Sequence, residues 1–210
     1  MAMHLTIFGA AGKVGQGVVS EALARNYTVT AFVHTHNPFT ENERLRVVRG
    51  DINDTNSVAE ALSGSQVVIS VLGSWHTKDK NTLSRAMTTI IPAMEAASIA
   101  RIITLTGAGA FCATDRPGFI DKIGHVLAAT LAPKILSDAE EHLELLAASP
   151  LEWTCIRSPV MTNQRRSTYR LAFGLAPLLS LVPRTAVVQA VVDQVESSDA
   201  FRQAPSILSK

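Results

Sequence analysis

Leu5-Thr6-Ile7-Phe8-Gly9-Ala10-Ala11-Gly12-Lys13-Val14-Gly15 sets a short apolar run against three glycines, and Gln16-Gly17-Val18-Val19-Ser20-Glu21-Ala22-Leu23-Ala24 continues with helical character. A strand, a glycine-rich turn and a helix in that order form a cradle for a nucleotide pyrophosphate. Gly9 lets the chain turn sharply out of the strand, and Gly12 lets backbone N–H groups approach phosphate oxygens. Gly15 removes the side chain where helix must pack on strand. The helix N-terminus then offers free N–H groups and partial positive charge to the diphosphate. The expected binding loop is therefore Gly9, Ala11, Gly12, Lys13, Val14 and Gly15.

Outward from this turn, short apolar runs alternate with helical patterns. Strands are expected at 4–8, 28–33, 45–49, 67–72, 101–105 and 152–156, with helices at about 13–25, 55–63, 81–99 and 137–148. Asp54 and the pair Ser137-Asp138 read as caps of the helices that follow them. The alternation predicts an α/β fold of the Rossmann type: a doubly wound parallel sheet with helices on both faces. One domain over residues 1–210 fits this length. The rhythm loosens at about 107–136 and 159–183, where glycine and proline accumulate, and these segments are the expected substrate-side walls beyond the carboxyl ends of the strands.

Composition narrows the function. Hydrophobic residues make up 47% of the chain and charged residues 18%, as suits a sheet buried on both faces. A net charge of +1 with no long basic run leaves no footprint for nucleic acid. No unbroken apolar stretch reaches the ~20 residues of a membrane span, and the apolar start is too short for a secretory core. Cys112 and Cys155 make no disulfide framework, so a reducing cytoplasm is the expected setting. A small-molecule substrate, no metal, and a monomer or small homo-oligomer complete the expectation.

The identity of the dinucleotide turns on the end of the second strand. An NAD site needs Asp or Glu there, but Phe32-Val33-His34-Thr35-His36-Asn37 has none. Lys13, His34 and Thr35 supply donors suited to a 2′-phosphate, so NADP(H) is preferred and NAD(H) is the alternative. Asp51 and Ile52, after the third strand, are placed to bond and pack on adenine; otherwise Asp51 is a turn residue. Leu72 and Gly73 let the chain pass under ribose and nicotinamide. Thr104 and Thr106, ending the fifth strand, join the cofactor set.

Four further segments complete a pattern with the glycine loop: Gly50-Asp51, Val71-Leu72-Gly73, Thr104-Leu105-Thr106-Gly107, and Ser149-Pro150-Leu151-Glu152-Trp153-Thr154-Cys155-Ile156-Arg157-Ser158-Pro159. Together they resemble the NmrA-like, NAD(P)H-binding branch of the atypical short-chain dehydrogenase/reductases, nearest its flavin reductase/biliverdin reductase B type. The resemblance covers nearly the whole chain. His34 stands where such chains usually place arginine, which softens the NADP preference. Pro150 replaces a usual glycine, and Ser158 separates Arg157 from Pro159.

Ketone-reducing members of the wider family use a Tyr-x-x-x-Lys pair to pass a proton to the alkoxide. Here Ala31 lies four residues after Tyr27 and Phe173 four after Tyr169, so the pair is missing. Two classes remain. One is an NADPH-dependent reductase delivering hydride to a planar conjugated acceptor, such as a flavin or quinone, where orientation does most of the work. Its candidate catalytic residues are Ser74, His76 and Thr106, and Trp75, Phe111 and Pro159 are candidates for holding the acceptor. The other is a non-catalytic NADP(H) sensor, as the resemblance allows. An epimerase or dehydratase is weaker, because it too depends on the missing pair. His142 is expected on a solvated helix face, and His125 either in the core or in the pocket.

Overall fold

The computed structural model describes residues 2–74, 77, 79–113, 115, 116, 118–165, 168–177 and 180–210; at 120 and 121 only the backbone is described. In chain order the elements are β1 (His4–Phe8), α1 (Lys13–Ala24), β2 (Thr28–Val33), β3 (Leu45–Arg49), α2 (Thr55–Leu62), β4 (Val67–Ser70), α3 (Thr82–Ala96) and β5 (Arg101–Gly107). They are followed by α4 (Phe119–Leu131), α5 (Pro133–Ala148), β6 (Glu152–Ser158), β7 (Val160–Thr162), β8 (Tyr169–Ala172), β9 (Leu181–Pro183), α6 (Arg184–Asp193) and β10 (Ser206–Ser209).

Eight strands form one sheet in the order β3-β2-β1-β4-β5-β6-β10-β8, parallel except for β8. Short β7 and β9 pair separately. Side chains alternate between the faces. Leu5 and Ile7 of β1 pack with Val18, Val187 and Val191 of α1 and α6, whereas Phe8 packs with Val58, Met87 and Leu143 of α2, α3 and α5. Burial on both faces explains why the strands read as continuous apolar runs. Thr6 is the one polar residue of β1's interior, and its hydroxyl is satisfied by the carbonyl of Ala61 at 2.8 Å. No described helix is long and apolar enough to cross a membrane.

The chain runs from β1 outward to β3, then returns to β4 on the other side of β1. The order therefore reverses between β1 and β4, and a crevice opens beyond their carboxyl ends. Gly9 and Val71–Gly73 lie there.

Several expectations need correction. The helix expected at 137–148 starts at Pro133, a residue whose fixed φ and missing N–H suit the first helical position. Ser137 and Asp138 do not cap it; they lie a turn inside. Asp138 instead caps α3 from across the structure, accepting from the backbone N–H of Leu83 at 3.1 Å and of Ser84 at 2.8 Å. His142 is not on a solvated face: it is 1% exposed, and burial pushes its imidazole down to about 4. β4 stops at Ser70, whereas β5 and β6 continue to Gly107 and Ser158. The loosened segments also hold ordered elements, α4 in the first and β7, β8 and β9 in the second. The Asp54 cap stands as read, with its carboxylate accepting from Asn56 and Ser57 N–H.

Candidate functional site

The glycine loop is built so tightly that side chains are excluded. Gly9 has φ +77°, and a Cβ there would sit 2.8 Å from the Val71 carbonyl carbon. A Cβ on Gly15 would lie 2.1 Å from the Gly9 oxygen. Gly15 therefore lets α1 begin directly against the end of β1. Gly12 N–H bonds back to Gly9 O at 3.0 Å, closing the turn. α1 has no side-chain N-cap and no acidic residue in its first turn. The N–H groups of Lys13, Val14 and Gly15 precede its first internal bond, and the helix dipole adds positive character where they emerge. This donor set suits an anion.

Just after β3, Asp51 Oδ1 accepts from Asn53 N–H at 2.9 Å and from its side-chain amide at 2.8 Å. These bonds hold the Asp51 carboxyl below the usual carboxylate range, with His34 a lesser cause. His34 Nε2 lies 3.9 Å from Asp51 Oδ2, and both side chains are largely exposed. The turn role of Asp51 is thus seen directly, while its second oxygen remains open toward His34. Ile52 packs against the core cluster under α2. Thr35 is exposed, as is Lys13. A cation the sequence reading passed over stands one strand away: Arg49 ends β3 in register with Val33, exposed and without an ion-pair partner among the described residues. Only strand pairing brings it to this corner.

Over the ends of β4 and β5, where the sequence reading expects the nicotinamide, the floor is made of small residues. Among the described residues, a Cβ on Gly73 or on Gly107 would meet nothing within 4 Å over the ends of β4 and β5. Thr104 and Thr106 are both buried in β5, and the Thr106 hydroxyl has no hydrogen-bond partner among the described residues. An orphaned buried hydroxyl at the carboxyl end of a central strand is one that a bound ligand would satisfy. Ser74 is 2% exposed and donates its hydroxyl to Asp138, so it belongs to the support of α3. Trp75 and His76 lie outside the described residues.

The other side of the crevice is framed by the loop after β5 and by the segment after β6. Phe111 stacks on His125 of α4 with ring centroids 4.2 Å apart. Glu140 of α5 holds both, accepting from Phe111 N–H at 3.1 Å and lying 2.8 Å from His125 Nε2. His125 is thus part of the wall, and its ring lies nearly parallel to that of Phe111, covering one face of it. Arg157, 1% exposed, gathers the rest of the frame. Its guanidinium donates to Ala110 O at 3.1 Å, to both oxygens of Asp115, and to Gly174 O at 3.0 Å. Pro159 follows directly after β6 at the same rim. Asp138, Glu140 and Arg157 gave no sign of these roles in sequence, since each acts on residues distant along the chain.

Both tyrosines stand aside from this crevice's chemistry. Tyr27 donates to Glu196 at 2.8 Å, and Tyr169 donates to Asp193. Burial, with the carboxylate as a second cause, pushes Tyr27 up to about 12 and Tyr169 higher still.

The fold and this crevice define the class of NAD(P)-binding α/β proteins with a Rossmann-like core. Residues 9–198 match the model of a family described as NAD(P)H-binding, and the chain belongs to that family. Solved structures resemble it over nearly their full length. A wide-type short-chain dehydrogenase/reductase from Veillonella parvula, in complex with NADP, is 20% identical with a TM-score of 0.82, covering 100% of this chain and 95% of its own. The oxidoreductase ylbE from Lactococcus lactis is 17% identical with a TM-score of 0.80, covering 99% and 91%. ChuY of Escherichia coli O157:H7, an anaerobillin reductase, is 19% identical with a TM-score of 0.77, covering 99% and 97%.

Proposed function

We propose that this chain is an NADPH-dependent reductase that passes hydride to a planar conjugated acceptor, such as a flavin or quinone, without a tyrosine–lysine proton relay. The observation that carries this reading is the state of the tyrosines. Neither has lysine four residues on, and both hydroxyls are given to carboxylates. A carbonyl substrate needing a proton on its developing alkoxide is therefore poorly served. An acceptor that spreads the incoming charge over a conjugated system can take its proton from solvent.

The residues then divide by task. The α1 N-terminus and its glycine loop hold the diphosphate. Lys13, His34, Thr35 and the newly recognised Arg49 favour a 2′-phosphate, a preference supported by the NADP found in the Veillonella relative. Asp51 and Ile52 take the adenine. Leu72, Gly73, Thr104 and Thr106 line the floor under the nicotinamide, which when bound supplies the hydride. Phe111 and Pro159 form the rim against which an acceptor stacks. Catalysis rests on alignment in a water-poor crevice, an effect that by itself is large.

Titration with NADPH and NADH, then oxidation of the tighter dinucleotide by FMN and by a simple quinone, tests the reading. Tighter NADPH binding with catalytic consumption is expected. Binding with no turnover across an acceptor panel overturns the reductase in favour of a sensor. Failure to bind either dinucleotide removes the basis of the cofactor assignment.

A further inference from the structure

Among the described residues, eight large hydrophobic side chains stand out as exposed, and five of them lie on α4: Phe119 at 79%, Ile123 at 48%, Val126 at 63%, Leu127 at 45% and Leu131 at 76%. Their spacing of three and four residues puts them on one side of the helix. The opposite side carries His125, stacked on Phe111, and Ala128 and Ala129, packed against the core. The stripe therefore points away from the crevice wall, and a substrate in the crevice would not cover it. A contiguous apolar face of this kind on a soluble fold marks an interaction surface.

Charge indicates what covers it. Arg116 just before the helix, Lys122 within it and Lys134 just after it are all exposed. None makes an ion pair among the described residues, whereas Asp115 nearby is already neutralised by Arg157. Two-fold pairing with a second copy would set these cationic rims against each other. Apolar residues on one face, edged by unpaired cations, match the boundary between acyl chains and anionic head groups.

We infer that α4 is a membrane-surface helix, which docks its Phe119–Leu131 stripe on an anionic lipid bilayer without spanning it. The inference stands whichever acceptor the crevice takes.

Co-sedimentation of the whole protein with phosphatidylcholine vesicles, with and without phosphatidylglycerol, tests it. Binding is expected with phosphatidylglycerol, weaker without it, and reduced by added salt. Val126→Asp should cut binding roughly tenfold or more, since it replaces a buried aliphatic contact with a charge among lipids. Lys122→Glu should weaken binding severalfold, and it serves as the second variant should the first misfold. Both variants should bind NADPH like the parent, which separates this test from that of the reductase reading. Absence of binding to anionic vesicles overturns the inference. So does undiminished binding by both variants, or a dimer in light scattering that Val126→Asp dissociates while vesicles capture nothing.

Discussion

Thr106 buries a hydroxyl with no partner among the described residues where the crevice begins, and that gives it a test with two opposite signs. Valine has the same shape and no hydroxyl. Thr106→Val should stabilise the free protein by up to about 1 kcal/mol, because an unsatisfied buried group is removed. The same change should weaken NADPH binding or turnover roughly threefold to tenfold, the worth of one hydrogen bond. Urea midpoints and an NADPH titration read both; a variant that loses stability and binds normally would refute the ligand role. His142 makes a second prediction. Burial lowers its pKa from 6.5 to about 4, so the folded protein keeps it neutral while the unfolded chain takes up a proton. The unfolded state thus binds more protons between those values, and stability falls as pH drops from 6.5 toward 4. The loss has an upper size on the order of 3 kcal/mol. His142→Gln should flatten that slope, measured as the change in unfolding free energy between pH 7 and pH 5.

Among the elements, α3 depends on α5 for its beginning. Asp138, 1% exposed, satisfies two N–H groups of α3's first turn as well as the Ser74 hydroxyl. Asp138→Ala should cost about 2–4 kcal/mol, with Asp138→Asn costing less because one acceptor oxygen is kept. Chemical unfolding of the two variants checks the order. This cap also marks the limit of what could be read along the chain. β1 to β6 were legible because their apolar runs are bounded by turn residues and lie close to the helices that cover them. The Ser137-Asp138 pair has the chemistry of a local cap, but its carboxylate serves a helix more than fifty residues away. α4 was missed because Pro117, Gly118, Gly124 and Pro133, before, within and after it, read as loop punctuation and masked its helical spacing. β8 and β10 are four residues each, and only their pairing with each other and with β6 makes them strands. The glycine loop was the most legible part of the site, because its backbone demands leave few residue choices. Glu140 and Arg157 were not legible, since each acts through contacts made only in the folded state, and Arg49 comes beside Val33 only through strand pairing.

Across the whole molecule, one buried guanidinium joins the two walls of the crevice. Arg157 reaches Ala110 and Asp115 on one wall and Gly174 on the other. Lysine would keep the charge and lose the fork that spans these acceptors. Arg157→Lys should raise KM for the acceptor severalfold while NADPH affinity stays within about twofold, because the glycine loop lies on other elements. Arg157→Ala should cost on the order of 3–5 kcal/mol, because Asp115 is left buried and unpaired. Steady-state kinetics and thermal unfolding separate the two effects. The sheet order carries one more consequence, in time rather than space. The strand wedged between β6 and β8 is β10, made of residues 206–209, so β8, which leads into the Gly174 wall, has no strand partner in the sheet until those residues arrive. The atoms that close tightly around the glycine loop come from β1, the start of α1 and the segment after β4, all early in the chain. During synthesis, when early segments fold before late ones, the growing chain acquires a place for the dinucleotide well before it acquires a place for whatever the dinucleotide reduces.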